Sequence, residues 1–142
     1  MSIGTSLAAG DFPVASCKSW NRTVVERNGI DPARASMRGI VTKADLQEYC
    51  ERDPGGETKF YGGKLTTAQC VAGHLRKEAR TMASEADCKA GTVVFSYGEG
   101  QPTRAKFPLG AAADTSCASA MPLLVEQFKM LCPAAAKRLM VE

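Results

Sequence analysis

The chain reads as an α+β domain: four or five short helices packed on a small antiparallel sheet, with disulfide cross-links. Three features predict this. A capping box at Thr66 and Gln69 opens a helix with a mixed, mostly apolar face. Residues 92–109 alternate as two strands around a turn-rich connection. Six cysteines are scattered singly, without the paired knuckles of a zinc site.

The 142 residues suit one domain, globular over 17–142, with a flexible segment at 1–16 that is loose until Cys17 ties it down. Hydrophobic content of 44% and charge of 23% are ordinary for a globular chain. Net charge is only +3 and aromatics make up 6%, so neither a basic field nor stacking platforms argue for nucleic acid. No apolar run is long enough to span a bilayer.

In chain order, Ser19 caps a short predicted helix bearing Trp20, Val24 and Val25, ended by Asn28 and Gly29. Asn21-Arg22-Thr23 matches the N-glycosylation sequon, a short pattern without meaning in a bacterial host. Asp31-Pro32 reads as an N-cap and first-turn proline, giving a brief helix over 32–38 stopped by Gly39. A further helix begins at Thr42, with Leu46, Tyr49 and Cys50 inward, and breaks at Asp53-Pro54-Gly55-Gly56. Residues 57–61 read as a short edge strand between paired glycines. That stretch has a basic-aromatic tip, so Lys59, Phe60, Tyr61 and Lys64 are the candidate binding residues; a plain connector is the competing reading.

The Thr66 helix is expected over 66–82, with Cys70, Val71, His74, Leu75 and Glu78 along one stripe. Arg76, Lys77 and Arg80 lie late in it, where cations suit the dipole. Ser84 to Asp87 reads as a polar run. Val93, Phe95 and Tyr97 then share one strand face, and Ala105, Phe107 and Leu109 face the same way on the return strand. Two strands alone are marginal, so helices must cover the dry face. Residues 110–116 read as loop. Ser119 caps a helix with Met121, Leu124, Val125, Phe128 and Leu131 buried, Cys132-Pro133 ends it, and 134–141 add a last turn or two.

An even cysteine count without knuckles predicts three disulfides and an oxidising compartment. The N-terminus has no basic start and no apolar core, so it is read as a mature exported chain whose leader is replaced by an initiator Met. A helix over 120–131 would hold Cys117 and Cys132 roughly 20 Å apart, beyond the reach of about 7 Å that a bridge allows. The expected pairs are Cys17–Cys117, Cys70–Cys88 and Cys50–Cys132.

Catalytic patterns are sparse. His74 is the only histidine. It shares a helix face with Cys70, as a nucleophile–base pair or two metal ligands would, but a bridged Cys70 has no thiolate to give. A boundary histidine is the expectation. Asp45 with Glu48, Glu51 with Asp53, and Glu85 with Asp87 are the paired carboxylates, each explained by a cap, a helix face or a loop. G-x-S-x-G, C-x-x-C and the P-loop pattern are absent from the sequence.

The succession Ala44-Asp45, Glu48-Tyr49-Cys50, Asp53-Pro54-Gly55-Gly56, Gly63-Lys64-Leu65-Thr66, Gln69-Cys70 and Ala86-Asp87-Cys88-Lys89-Ala90-Gly91 resembles small exported alphaproteobacterial proteins of unassigned function. Gln127-Phe128 and Leu131-Cys132-Pro133 extend the likeness, which covers about residues 42–97 and 124–133. The resemblance implies a periplasmic location and contributes no catalytic residue.

The expectation is therefore a periplasmic or secreted, non-enzymatic binding module for an envelope or host protein, or a glycan. An inhibitor of a cell-wall enzyme or a host-interaction factor would fit. No cofactor, metal or catalytic residue is expected. The alternatives are a small periplasmic hydrolase using acids and His74 in a cleft, and a cytosolic zinc or thiol protein.

Overall fold

The computed structural model describes residues 11–17, 21–78 and 81–140. It is α+β: a five-stranded antiparallel sheet in the order β1-β2-β3-β4-β5, with four helices. The strands are β1 (Thr23–Gly29), β2 (Arg34–Ile40), β3 (Thr81–Asp87), β4 (Thr92–Tyr97) and β5 (Thr103–Lys106). The helices are α1 (Lys43–Arg52), α2 (Thr67–Lys77), α3 (Met121–Leu131) and α4 (Pro133–Leu139), with a single 3-10 turn at Lys59–Tyr61. No helix among the described residues is long and apolar enough to cross a membrane.

The predicted hairpin is present as β4 and β5, with Val93 facing Ala105 across the pair, but β5 ends at Lys106 rather than at 109. Three strands were not expected. Thr23, Val24 and Val25 lie in β1 rather than a helix, which suits side chains that are stiff at χ1. Residues 32–38, read as a helix, run into β2, whose inward positions are Ala35, Met37 and Gly39. The polar run at Ser84 belongs to β3, whose inward positions are Met82, Ser84 and Ala86. Small side chains hid the alternation. A Cβ on Gly39 would fall 2.5 Å from the Phe12 ring and 2.9 Å from the Met82 sulfur, so that position is reserved for close packing.

Phe12 comes from the segment expected to be loose, yet it is fully buried and pairs with Arg22 through two backbone hydrogen bonds. Gln127, also buried, donates from Nε2 to the Pro13 carbonyl, and Ser16 Oγ accepts from Leu123 N in the first turn of α3. Residues 1–10, the expected cap Ser19, Trp20, Arg80 and Val141 lie outside the described residues.

Helix α3 covers one face of the sheet with Leu124, Phe128 and Leu131, and the Phe128 ring lies 4.8 Å from that of Phe107. Ser119 Oγ accepts from Met121 N, but the N-cap of α3 is Ala120, not the expected Ser119, and makes no side-chain cap bond. Asp31 does cap a helix, but a distant one: its Oδ2 accepts from Ala134 N at 2.6 Å and Ala135 N at 3.0 Å, at the start of α4. The opposite sheet face is largely polar and open, with Ser36, Glu85 and Val94 in one row.

Helices α1 and α2 form a hairpin inserted between β2 and β3. Both carry complete capping boxes, Thr42 with Asp45 and Thr66 with Gln69. Helix α2 ends at Lys77 instead of 82, because Glu78 is pulled toward the sheet and β3 starts at Thr81.

The disulfides are Cys17–Cys117, Cys50–Cys70 and Cys88–Cys132. The first was expected; the pairs Cys70–Cys88 and Cys50–Cys132 are corrected. The expected return of Cys88 along α2 fails because the intervening residues are the seven-residue strand β3. An extended strand rises about 3.3 Å per residue, so Cys88 is carried to the far end of the sheet. There it meets Cys132 at the end of α3, while Cys50 and Cys70 meet across the α1–α2 hairpin.

Candidate functional site

The segment linking α1 to α2 is built around Asp53. This residue ends α1 with φ at +46°, a conformation that aspartate tolerates better than most side chains. Its carboxylate accepts from Glu57 N at 2.8 Å, Thr58 N at 2.8 Å and Thr58 Oγ1 at 2.7 Å. Burial alone would raise the Asp53 carboxyl; the hydrogen bonds from Thr58 and Glu57 outweigh it and hold the group below its ordinary range.

The loop closes on itself through backbone bonds. Gly63 N donates to Thr58 O at 2.7 Å, Lys64 N and Leu65 N to Glu57 O at 3.0 Å, and Lys59 N to Leu65 O at 2.8 Å. A Cβ on Gly63 would lie 2.1 Å from the Glu57 carbonyl oxygen, so only glycine lets these strands of chain meet. The expected edge strand at 57–61 is replaced by this closed loop with its 3-10 turn; only Thr58 and Leu65 make an isolated bridge.

The four sequence-predicted binding residues sit together on that loop, and all are exposed. Phe60 is 86% exposed and Tyr61 53%, with ring centroids 5.2 Å apart and planes 59° apart, so the pair forms a wedge rather than a flat plate. Lys59 and Lys64 flank it and make no ion pair among the described residues.

His74 braces the loop against the sheet. Its Nε2 lies 3.2 Å from Glu57 Oε2 and its Nδ1 3.4 Å from Glu78 Oε2. A ring protonated on both nitrogens donates to both carboxylates; a neutral ring donates to one. The Tyr49 ring packs 5.0 Å from the imidazole, and burial, with the nearby Glu57 and Glu78 charges, pushes the Tyr49 phenol up.

Glu78 is the hub. Its Oε1 accepts from Arg22 Nη2 at 2.9 Å and from the Tyr97 hydroxyl at 2.7 Å. Burial works against its charge, yet hydrogen bonds from Tyr97 and Arg22 and the Arg22 charge prevail, holding the carboxyl below the usual range. Tyr97 is pushed up by burial and by its bond to Glu78. Sequence reading placed Glu78 at the end of a helix stripe and gave Arg22 no role. The polar residue closing an apolar stripe was the available signal, but its partners lie 56 and 19 residues away.

His74 does lie beside Cys70, with ligand atoms of Cys50, Cys70 and His74 all within 4.8 Å of one another. Cys50 and Cys70 are bonded to each other, so in the oxidised chain neither sulfur presents a thiolate to a metal or substrate. The paired acids serve the fold: Asp45 closes the α1 cap and accepts from Thr23 Oγ1, Asp53 organises the loop, and Asp87 accepts from Ala90 N.

A groove of about 420 Å³ lies between the loop and the outer side of α2, lined by Glu57, Leu65, Cys70, Gly73, Arg76 and Lys77 among others. Comparison with protein-family models, curated proteins and solved structures finds no match for the chain.

Proposed function

We propose that this protein is a non-enzymatic binding module of the periplasm or the extracellular space, and that the loop bearing Lys59, Phe60, Tyr61 and Lys64 contacts a protein or glycan partner. Phe60 carries the reading. A phenylalanine 86% exposed at the tip of a loop closed by its own hydrogen bonds is poorly explained by folding, which gains from burying it. On a closed loop the side chain is presented with less ordering entropy left to lose on binding. All six cysteines are bridged, which suits an oxidising compartment and argues against the zinc or thiol alternative. A protein inhibitor of a cell-wall enzyme or a host-interaction factor would use such a surface.

Binding of purified periplasmic proteins and of peptidoglycan by the wild type, Phe60→Ala and Tyr61→Ala tests this directly. Each substitution should weaken the interaction roughly tenfold or more while leaving the melting temperature unchanged, as anchor residues do. Full binding by both variants would remove the loop from the interface.

The hydrolase reading draws on the Glu57–His74–Glu78 line beside the groove. In that line both imidazole nitrogens face carboxylates of the protein itself, which favours a brace over a general base. Hydrolytic turnover that is abolished in His74→Ala would reverse that preference.

A further inference from the structure

The groove beside the loop holds a residue that the fold does not need. Gly73 sits in the middle of the eleven-residue helix α2, where glycine is among the least favourable choices. Close packing does not explain it, because a Cβ placed there would meet nothing within 4 Å. Its φ is not in the left-handed region that would demand glycine. A missing side chain at an open position lining a groove is what close approach by another molecule requires.

Charge is the second observation. Arg76 and Lys77 border the groove, and Lys59 and Lys64 stand on the loop that forms its other wall. None of these four cations makes an ion pair among the described residues, whereas the acid in the groove wall, Glu57, is engaged by His74. Between the cations Leu65, Cys70, Ala72 and Gly73 give the lining an apolar or small stretch, with Gln69 and His74 beside it.

We infer that this groove docks a segment of a partner protein in which acidic residues flank an apolar anchor, with the backbone of that segment lying against Gly73. The inference rests on the loop reading above and names the partner class. A polypeptide fits better than an acidic glycan. The tilted Phe60–Tyr61 wedge suits insertion into an apolar pocket, whereas stacking on a sugar needs a flat platform.

The test uses the full oxidised chain and a displayed library of random peptides, with a heparin oligosaccharide as the second probe. Gly73→Leu enters open space on a helix and should leave the fold intact; Gly73→Ala should raise the melting temperature while still weakening binding. The expected result is enrichment of peptides with Asp or Glu around an aliphatic or aromatic residue, whose affinity falls roughly tenfold or more in Gly73→Leu and falls again as salt is raised. Peptides that bind Gly73→Leu as well as wild type but lose affinity to Phe60→Ala would overturn the groove and spare the loop. Binders indifferent to both substitutions would overturn both. Absence of peptide enrichment, or heparin binding that is lost in Gly73→Leu without peptide enrichment, would overturn the polypeptide assignment.

Discussion

Replacing Glu78 with alanine should destabilise the protein by about 3 kcal/mol, in the range seen when one partner of a buried ion pair is removed. The variant leaves the Arg22 guanidinium, with its side chain only 5% exposed, without its carboxylate, and removes the acceptor of the Tyr97 hydroxyl. It also frees one side of His74, so the loop loses part of its brace. At about 2–4 °C per kcal/mol for a chain of this size, the melting temperature should fall by about 10 °C. The effect has a pH signature. The folded carboxyl of Glu78 titrates below the value of about 4.3 that glutamate has in an unfolded chain. Its contribution is therefore complete above that value and disappears as pH falls through the lower folded value. Denaturant unfolding of wild type and Glu78→Gln should differ most near neutral pH and converge as pH falls through the lowered folded value. A neutral-pH difference smaller than about 0.5 kcal/mol would mean that Glu78 is merely a surface charge.

The second large effect is at the Cys88–Cys132 bridge. Its sequence separation is 44, and both cysteines are fully buried. Loop-closure entropy alone predicts a loss of about 4 kcal/mol for Cys88→Ala with Cys132→Ala. The Cys50–Cys70 bridge closes a loop of separation 20 and should be worth about 3 kcal/mol by the same relation. Chemical denaturation of the two double variants checks the order. A smaller loss at Cys88–Cys132 than at Cys50–Cys70 would show that the end of α3 is anchored to the sheet by packing alone, through residues such as Leu131 and Phe128.

Legibility followed side-chain size and sequence distance. The β4–β5 hairpin was readable because Val93, Phe95 and Phe107 are large and alternate in the open. Strands β2 and β3 turn Ala35, Gly39, Ser84 and Ala86 toward the core, and such side chains carry almost no periodic hydrophobic signal. Misreading β3 then misplaced Cys88 and with it two of the three bridges. The caps at Thr42 and Thr66 were local and came through. Asp31 was recognised as a capping residue, but its target was assigned to the next helix in sequence; the true one begins 102 residues later.

The candidate site divides along the same line. Lys59, Phe60, Tyr61 and Lys64 are neighbours in sequence, so their grouping needed no fold. The elements that hold them do need it. Asp53 acts through an αL turn, and His74 through Glu57, 17 residues earlier. Glu78 acts through partners on the chain before β1 and at the end of β4. Paired glycines announced a loop; only the closed hydrogen-bond pattern distinguishes a fixed platform from a connector.

The fixed loop is the centre of the account, and amide hydrogen exchange reads it residue by residue. If residues 57–65 form the closed arrangement described here, the amides of Thr58, Lys59, Gly63, Lys64 and Leu65 are all engaged and should exchange roughly a hundredfold slower than in an unstructured chain. The amide of Phe60, for which the loop supplies no comparable backbone partner, should exchange faster than its neighbours. Unprotected exchange at Gly63, Lys64 and Leu65 would contradict the account, because Phe60 and Tyr61 would then ride on a mobile tether with no prearranged surface to offer.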